Sequence, residues 1–215
     1  KKVLFSVPTG NFGDILAGYI SKKMGLKIDM LNIATNDNDI LTRTLMTGRH
    51  QLQGVIETTS PSIDIQISSN FERLLYDITQ DSNYVSNLMN ELKRTGKYTL
   101  KENDLITMRK SFCSYSVSEE ESANIIKNTF EKYKVIIDPH TAVGLSSAQK
   151  CDKEYDIMIT LSTAHPAKFK DTVSNLLHNE EFITKKVSNI LKLDENMTIL
   201  DNDIDVVRNF ITGNI

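Results

Sequence analysis

The chain contains no tryptophan, only two cysteines and four prolines, and no long uninterrupted apolar run. Cys113 and Cys151 are too few for a disulfide framework and do not have the spacing of metal ligands, so a reducing, cytoplasmic location is expected. No apolar run approaches the ~20 residues that cross a bilayer. We therefore expect neither a membrane span nor a structural metal.

An excess of positive charge is also lacking. The chain has 25 Lys and Arg against 28 Asp and Glu, a formal net charge of -3 at pH 7. Proteins that bind nucleic acids usually cluster Lys and Arg on one face, so no nucleic-acid partner is expected. A small anionic ligand is not excluded, because a local pocket can be positive on an acidic protein.

Apolar strand-like runs alternate with helical periodicity along the 215 residues, and this alternation predicts an α/β fold. No linker rich in Pro or Gly divides the chain, so we predict one domain. Residues 95–116 are weakly patterned and are expected to form a variable, partly helical excursion. The predicted strands are 3–7, 28–34, 135–137 and 156–161, and helical periodicity covers 14–24, 39–46, 68–94, 118–133, 141–150, 167–177, 182–191 and 203–211.

The loop after the first strand reads Pro-Thr-Gly-Asn-Phe-Gly-Asp over residues 8–14. Gly10 and Gly13 allow the backbone to approach a ligand closely, and the following helix offers unpaired amides and the positive end of its dipole. Asp14 suits the N-cap position. The loop therefore predicts either an anion-binding site or an ordinary glycine-rich turn. Its spacing fits neither a nucleotide P-loop nor a dinucleotide fingerprint.

Residues 6–18 closely resemble the phosphate-binding segment of threonine synthases, pyridoxal-phosphate enzymes of the tryptophan-synthase-like fold type II. Blocks similar to this family follow in the family's order at residues 33–43, 60–65, 68–75, 138–144 and 161–169. The resemblance implies a mostly parallel sheet flanked by helices. It also implies that residues 1–215 are the C-terminal part of the cofactor-binding catalytic domain, without its N-terminal portion.

The resemblance further implies which residues hold pyridoxal 5'-phosphate. Thr163 is expected to hydrogen-bond the pyridine nitrogen. The alternative is that Thr163 caps the helix that follows His165 and Pro166. Four loop residues are expected to surround the cofactor phosphate: Gly10, Asn11, Phe12 and Asp14.

Candidate contacts to the substrate come from two regions. Asn70 and Arg73 lie one helical turn apart, and Arg73 could bind a substrate anion or form a structural salt bridge with Asp64 or Glu72. Lys168 could meet a substrate phosphate or be a solvated lysine at a helix start. The polar cluster Asn36, Asn38 and Asp39 favours a turn with an N-cap. His140 and His165 flank prolines near strand ends, where structural hydrogen bonds are the commoner role.

Pyridoxal-phosphate chemistry requires a lysine that forms a Schiff base. In the family this lysine lies in an N-terminal block with the sequence Phe-Lys-Asp. Residues 169–171 have the same three letters but follow Thr163, so Lys170 is rejected. The lysine is expected upstream of Lys1, no catalytic residue is assigned within the chain, and the isolated chain is expected to be inactive.

By this resemblance, the expected activity is that of threonine synthase, a lyase that converts O-phospho-L-homoserine and water to L-threonine and phosphate. Two alternatives stay open. The chain could belong to a catalytically inactive, threonine-synthase-like binding protein. It could also belong to a related fold type II dehydratase or sulfhydrylase, although these usually have a phosphate loop richer in glycine.

Overall fold

The computed structural model describes residues 1–179, 182, 185–190 and 192–214, in two compact units that comprise residues 1–182 and 183–215. The first unit contains a parallel sheet of four strands: β1 (Val3–Pro8), β2 (Met30–Thr35), β5 (Phe112–Ser116) and β6 (Ile157–Thr160). Their order across the sheet is β5-β2-β1-β6. Two further strands, β3 (Arg49–Gln51) and β4 (Lys97–Thr99), form an antiparallel pair.

The described helices of the first unit are α1 (Gly13–Lys23), α2 (Ile40–Thr47), α3 (Phe71–Thr79), α4 (Ser82–Thr95), α5 (Glu102–Arg109), α6 (Glu119–Tyr133), α7 (Pro139–Gln149) and α8 (Lys170–Leu177). Short 3-10 turns occupy Pro61–Ile63 and Pro166–Phe169. The second unit contains α9 (Lys185–Ile190) and α10 (Ile204–Gly213). Within the described ranges, no helix has the length and apolar character needed to cross a membrane.

Helix α7 packs against the sheet where β1 and β6 end. A Cβ at Gly144 would lie 3.0 Å from side-chain atoms of both Pro8 and Thr160, so glycine lets the helix cross here without displacing them. Ser6 pairs with Thr160 in the parallel register. Since parallel strands end at one edge of the sheet, the segments that follow β1 and β6 are brought together beside α7.

Most helices lie where the sequence predicts them, and α6 begins with a capping box formed by Ser118 and Glu121. Helical region 68–94 is divided into α3 and α4, because Gln80 adopts a left-handed conformation with φ 51°. The predicted helix 203–211 is confirmed as α10. Helix α9 forms within the predicted helix 182–191, whose residues 183, 184 and 191 lie outside the described residues.

The strand predicted at 135–137 is wrong. Helix α6 ends at Tyr133, and Asp138 already caps α7, so the residues between them only connect two helices. Ile137 packs against those helices rather than into the sheet. Conversely, the weakly patterned region 95–116 contains β4, α5 and all of β5, which pairs with β2 in the central sheet.

His50 lies between two aromatic rings in the core. Its imidazole is 2% exposed and stacks on Phe71 at 5.6 Å and on Tyr98 at 4.7 Å between ring centroids. A hydrogen bond of 2.8 Å joins its Nδ1 to Thr44 Oγ1. Burial, together with the positive charge of Arg43, lowers the pKa of His50 to about 4. The imidazole is therefore neutral in the folded protein at neutral pH.

This burial predicts acid sensitivity. The ordinary pKa of ~6.5 in the unfolded chain exceeds the folded value, so the unfolded state binds more protons between these pH values. The free energy of unfolding should fall as the pH drops from ~6.5 towards 4, by up to about 1.4 kcal/mol per pH unit from His50 alone. Urea unfolding of the intact protein at neutral pH and at about pH 5 measures this loss. His50→Phe keeps the stacking and should lose less stability; an equal loss in both proteins would contradict the prediction.

Candidate functional site

The loop between β1 and α1 borders a cavity of about 220 Å³. Residues 8–11 and 13–15 form one wall, and residues 163, 164, 168 and 169, which follow β6, form the opposite one. Ser62, Ile63 and His140 complete the lining. The parallel pairing of β1 with β6 thus places the two segments that the sequence singles out around one cavity.

The carbonyl groups of this loop are occupied by the segment that precedes α3. Ser68 Oγ donates a hydrogen bond of 2.6 Å to the Gly10 carbonyl. The Asn11 carbonyl accepts two hydrogen bonds from Asn70, one from its backbone amide at 3.1 Å and one from Nδ2 at 3.0 Å. These bonds fix the loop backbone and leave its amide groups as the remaining polar groups.

Several of those amides have no partner within the protein. Gly13 donates to Asn11 Oδ1 at 3.1 Å. The amides of Gly10, Asn11, Phe12 and Asp14, by contrast, have no hydrogen-bond acceptor in the part of the chain that the structure describes. Unpaired backbone donors at a helix start, reinforced by the helix dipole, are suited to binding an anion such as a phosphate group.

Phe12, rather than Asp14, is the N-cap of α1, so the sequence-based assignment of the cap to Asp14 is wrong. Phe12 is left-handed, with φ 68° and ψ 16°, and Asp14 lies in the first helical turn with an exposed side chain. Its carboxylate would repel a phosphate, since like charges repel. Asp14 can therefore contribute to anion binding through its backbone amide.

The ring of Phe12 is fully buried and does not line the cavity. It contacts Phe71 edge-on, with ring centroids 5.3 Å apart, and Phe112 at 5.7 Å. The left-handed backbone is costly for a residue with a side chain, and burial of the ring holds it in place. Phe12 can therefore contribute to ligand binding only through its backbone.

Gly10 is required by a close backbone approach. A Cβ at this position would lie 2.2 Å from the carbonyl oxygen of Ser62, a distance that no side chain tolerates. The strand-end loop and residue 62 are thus packed backbone to backbone at the edge of the cavity.

On the opposite wall, Thr163 and Lys168 are exposed towards the cavity that they line. The cap of the Pro166–Phe169 turn is His165, whose Nδ1 accepts a hydrogen bond of 3.1 Å from the amide of Ala167. Thr163 therefore does not serve as this cap. Lys168 is the sole lysine or arginine among the described residues of the cavity lining, and it supplies a positive charge there.

Asn70 and Arg73 do not line the cavity. Arg73 Nη1 donates a hydrogen bond of 2.8 Å to Asn70 Oδ1, and the described residues show no ion pair between Arg73 and either Asp64 or Glu72. Asn70 in turn supports the Asn11 carbonyl. Both residues are therefore placed to stabilise the loop from behind.

The cluster after β2 is structural. Asn36 Nδ2 and Asn38 Nδ2 donate to Asp64 Oδ1 at 2.7 and 3.0 Å, and both asparagines are buried. Asp39 is the residue before α2 and forms a salt bridge of 2.7 Å with Arg43. These bonds hold the 56–64 segment, which contributes two residues to the cavity lining.

Sequence reasoning did not single out Asp138, which is fully buried beside the cavity. Its carboxylate accepts from the amide of His140 at 2.9 Å and from His140 Nδ1 at 3.1 Å, and also from the amide and hydroxyl of Thr141. Burial acts to raise the pKa of Asp138, but these hydrogen bonds hold it below its usual value. The sequence signal was the Asp-Pro pair that starts α7.

Comparison with known proteins agrees with this geometry. Residues 141–211 match the family model for the C-terminal region of threonine synthase. Threonine synthase of Pseudomonas aeruginosa is 37% identical over 215 residues, which cover 99% of this chain and 46% of the relative. That of Saccharomyces cerevisiae is 40% identical over 238 residues, which cover 98% of this chain and 46% of the relative.

A crystal structure of threonine synthase from Brucella melitensis, bound to pyridoxal phosphate, superimposes with a TM-score of 0.89 at 42% identity. The match covers 99% of this chain and 46% of that one. The predicted α/β architecture of fold type II, a parallel sheet flanked by helices, is confirmed. The chain spans about half the length of its relatives, and it belongs to the threonine synthase family.

Proposed function

We propose that the protein carrying this chain is a pyridoxal-phosphate-dependent threonine synthase, a lyase that converts O-phospho-L-homoserine and water to L-threonine and phosphate. One observation supports this above the others. A row of unpaired amides at the start of α1 faces the same cavity as Thr163, in a chain related to threonine synthases.

The cavity fits the proposed cofactor at both ends. The free amides of Gly10, Asn11, Phe12 and Asp14 suit its phosphate dianion. The hydroxyl of Thr163 suits the ring nitrogen, and a neutral hydroxyl leaves that nitrogen largely unprotonated, unlike a carboxylate. When bound, pyridoxal phosphate supplies a conjugated ring that delocalises the electron pair left by a broken bond of the substrate.

The other candidate residues are proposed to bind the substrate or to position the loop between β1 and α1. Lys168 is proposed to attract the phosphate of the substrate, because its ammonium group lies at the cavity. The proposed contribution of Asn70 and Arg73 to substrate binding is indirect, through the loop that Asn70 supports. We assign the lysine of the Schiff base to the part of the protein outside residues 1–215.

The setting of the reaction follows from the chain's chemistry. The chain has only two cysteines, Cys113 and Cys151, and thus no disulfide framework, which supports a reducing, cytoplasmic compartment. The proposed partner is a small molecule, without a nucleic acid or a membrane. The inactive binding protein and the dehydratase are not favoured, because curated relatives that cover 98–100% of this chain are named threonine synthases.

The deciding experiment supplies O-phospho-L-homoserine to the full-length protein and measures threonine and phosphate together. Equal amounts of both products are expected. Phosphate released with a keto acid in place of threonine would indicate a dehydratase. Neither product, in a protein with bound cofactor, would indicate a binding protein.

Thr163→Val tests the contact to the ring nitrogen. Loss of one hydrogen bond, worth about 1–2 kcal/mol, should lower kcat roughly tenfold while KM changes little. The absorption spectrum of the bound cofactor should also shift. Thr99→Val, a change at an exposed threonine of β4, is the matched control. Unchanged kcat and an unchanged spectrum in Thr163→Val would remove Thr163 from the site.

Gly10→Ala tests the proposed phosphate loop, residues 8–14. The added Cβ would force the loop and Ser62 apart, and overpacking of about 1–3 kcal/mol should weaken cofactor affinity roughly 5- to 100-fold. Spectroscopic titration with pyridoxal phosphate measures this change. Gly54→Ala is the control, because no atom lies within 4 Å of a Cβ at Gly54. Equal affinity in the two variants would contradict the role of the loop.

A further inference from the structure

A single buried carboxylate is connected to both walls of the cavity. Asp138 is fully buried and forms the N-cap of α7, the helix that crosses the ends of β1 and β6. It accepts hydrogen bonds from both residues that follow Pro139, namely His140 and Thr141. These two residues reach in different directions.

The first connection leads to the phosphate loop. His140 Nδ1 is bonded to Asp138, and His140 Nε2 accepts a hydrogen bond of 3.2 Å from the amide of Ser62. Because Nε2 is an acceptor, the ring's proton resides on Nδ1, and the carboxylate selects this tautomer. Ser62 is the residue whose carbonyl abuts Gly10. A continuous set of contacts therefore runs from Asp138 to the loop that carries the free amides.

The second connection leads to Thr163. The hydroxyl of Thr141 donates to Asp138 Oδ2. A hydrogen bond of 3.3 Å joins Thr141 Oγ1 and Ser162 Oγ. Ser162 immediately precedes Thr163, so its position affects where the Thr163 hydroxyl lies at the cavity.

Capping of α7 alone does not require all four hydrogen bonds that Asp138 accepts. An N-cap carboxylate satisfies helix amides, and Asp138 does so with the amides of His140 and Thr141. The two additional bonds, from a ring nitrogen and a hydroxyl, use the remaining acceptor capacity of the buried carboxylate. Both donors belong to side chains that continue to opposite walls of the cavity.

We propose that Asp138 is the positioning residue that sets the separation between the phosphate loop and Thr163, through His140 and Thr141 respectively. This inference rests on the proposed function, since that separation matters only for a ligand held at both ends. Asp138 does not itself line the cavity. Pre-organised groups of this kind fix the geometry of the groups that do.

The two connections can be cut separately in the full-length enzyme. His140→Asn keeps a donor near the position of Nδ1 but leaves the Ser62 amide without its acceptor. Thr141→Val removes the hydroxyl that links Asp138 to Ser162. Asp138→Asn weakens both, because an amide has one acceptor oxygen for four donors. Thr44→Val and His50→Phe, which keeps the aromatic stacking on Phe71, are controls at a buried threonine–histidine pair outside the cavity lining.

Binding of pyridoxal phosphate is compared with binding of pyridoxal, which lacks the phosphate. His140→Asn should reduce the preference for the phosphorylated form roughly tenfold, as expected when a supporting hydrogen bond is lost. Thr141→Val should keep that preference and shift the absorption maximum of the bound cofactor. Asp138→Asn should show both changes. The controls should lose stability without either change.

The outcomes separate the two levels of inference. If the wild-type enzyme does not prefer pyridoxal phosphate over pyridoxal, the proposed cofactor fails and this inference fails with it. If the wild type shows the preference but Asp138→Asn retains both preference and spectrum, Asp138 is a helix cap only. Should Asp138→Asn not fold, His140→Asn and Thr141→Val decide: an unchanged preference in the first or an unchanged spectrum in the second overturns the proposal.

Discussion

The conformation of the loop between β1 and α1 depends on one buried aromatic ring. Phe12 occupies a left-handed conformation at the N-cap of α1, and its ring is enclosed by Phe71 and Phe112. Left-handed geometry costs roughly 1–2 kcal/mol for a residue with a side chain, which is less than the ~3–5 kcal/mol that a buried Phe contributes. Burial of the ring in the core therefore fixes the left-handed backbone at Phe12. This backbone conformation leaves the amides of the loop unpaired.

Local sequence was sufficient to predict the features that depend on local interactions. Strand β1, the loop after it and the start of α1 are contiguous, and glycines with a helix start constrain their own backbone. The capping box of Ser118 and Glu121 and the left-handed Gly48 after α2, both seen in the structure, likewise depend on residues close in the chain. Thr163 was predicted only from the family resemblance of the ordered blocks up to residue 169. The sequence around Thr163 alone is equally consistent with a helix cap.

Contacts between distant residues could not be predicted in this way. Strand β5 is short and its sequence has only a weak strand pattern, so it becomes part of the sheet through its pairing with β2. Asn70 and Arg73 suggest an anion site by their types and spacing, whereas the fold directs Asn70 to the Asn11 carbonyl. Asp138 has the sequence signature of a helix cap, and its links towards residues 62 and 162 depend on how α7 crosses the sheet.

Net charge explains little about this site. The chain carries a net charge of -3, and a carboxylate, Asp14, stands in the first turn of the helix that borders the cavity. Neutral backbone donors and one end of a helix dipole create a positive local field that acts over a few ångströms, within a Debye length of ~8 Å. Because these donors are fixed by the core and by the bonds to Ser68 and Asn70, they need no reorganisation to meet an anion. Lys168 adds a positive charge to the cavity lining. Under the proposed function, the fixed amides suit the phosphate of a resident cofactor, and the lysine suits the phosphate of a substrate.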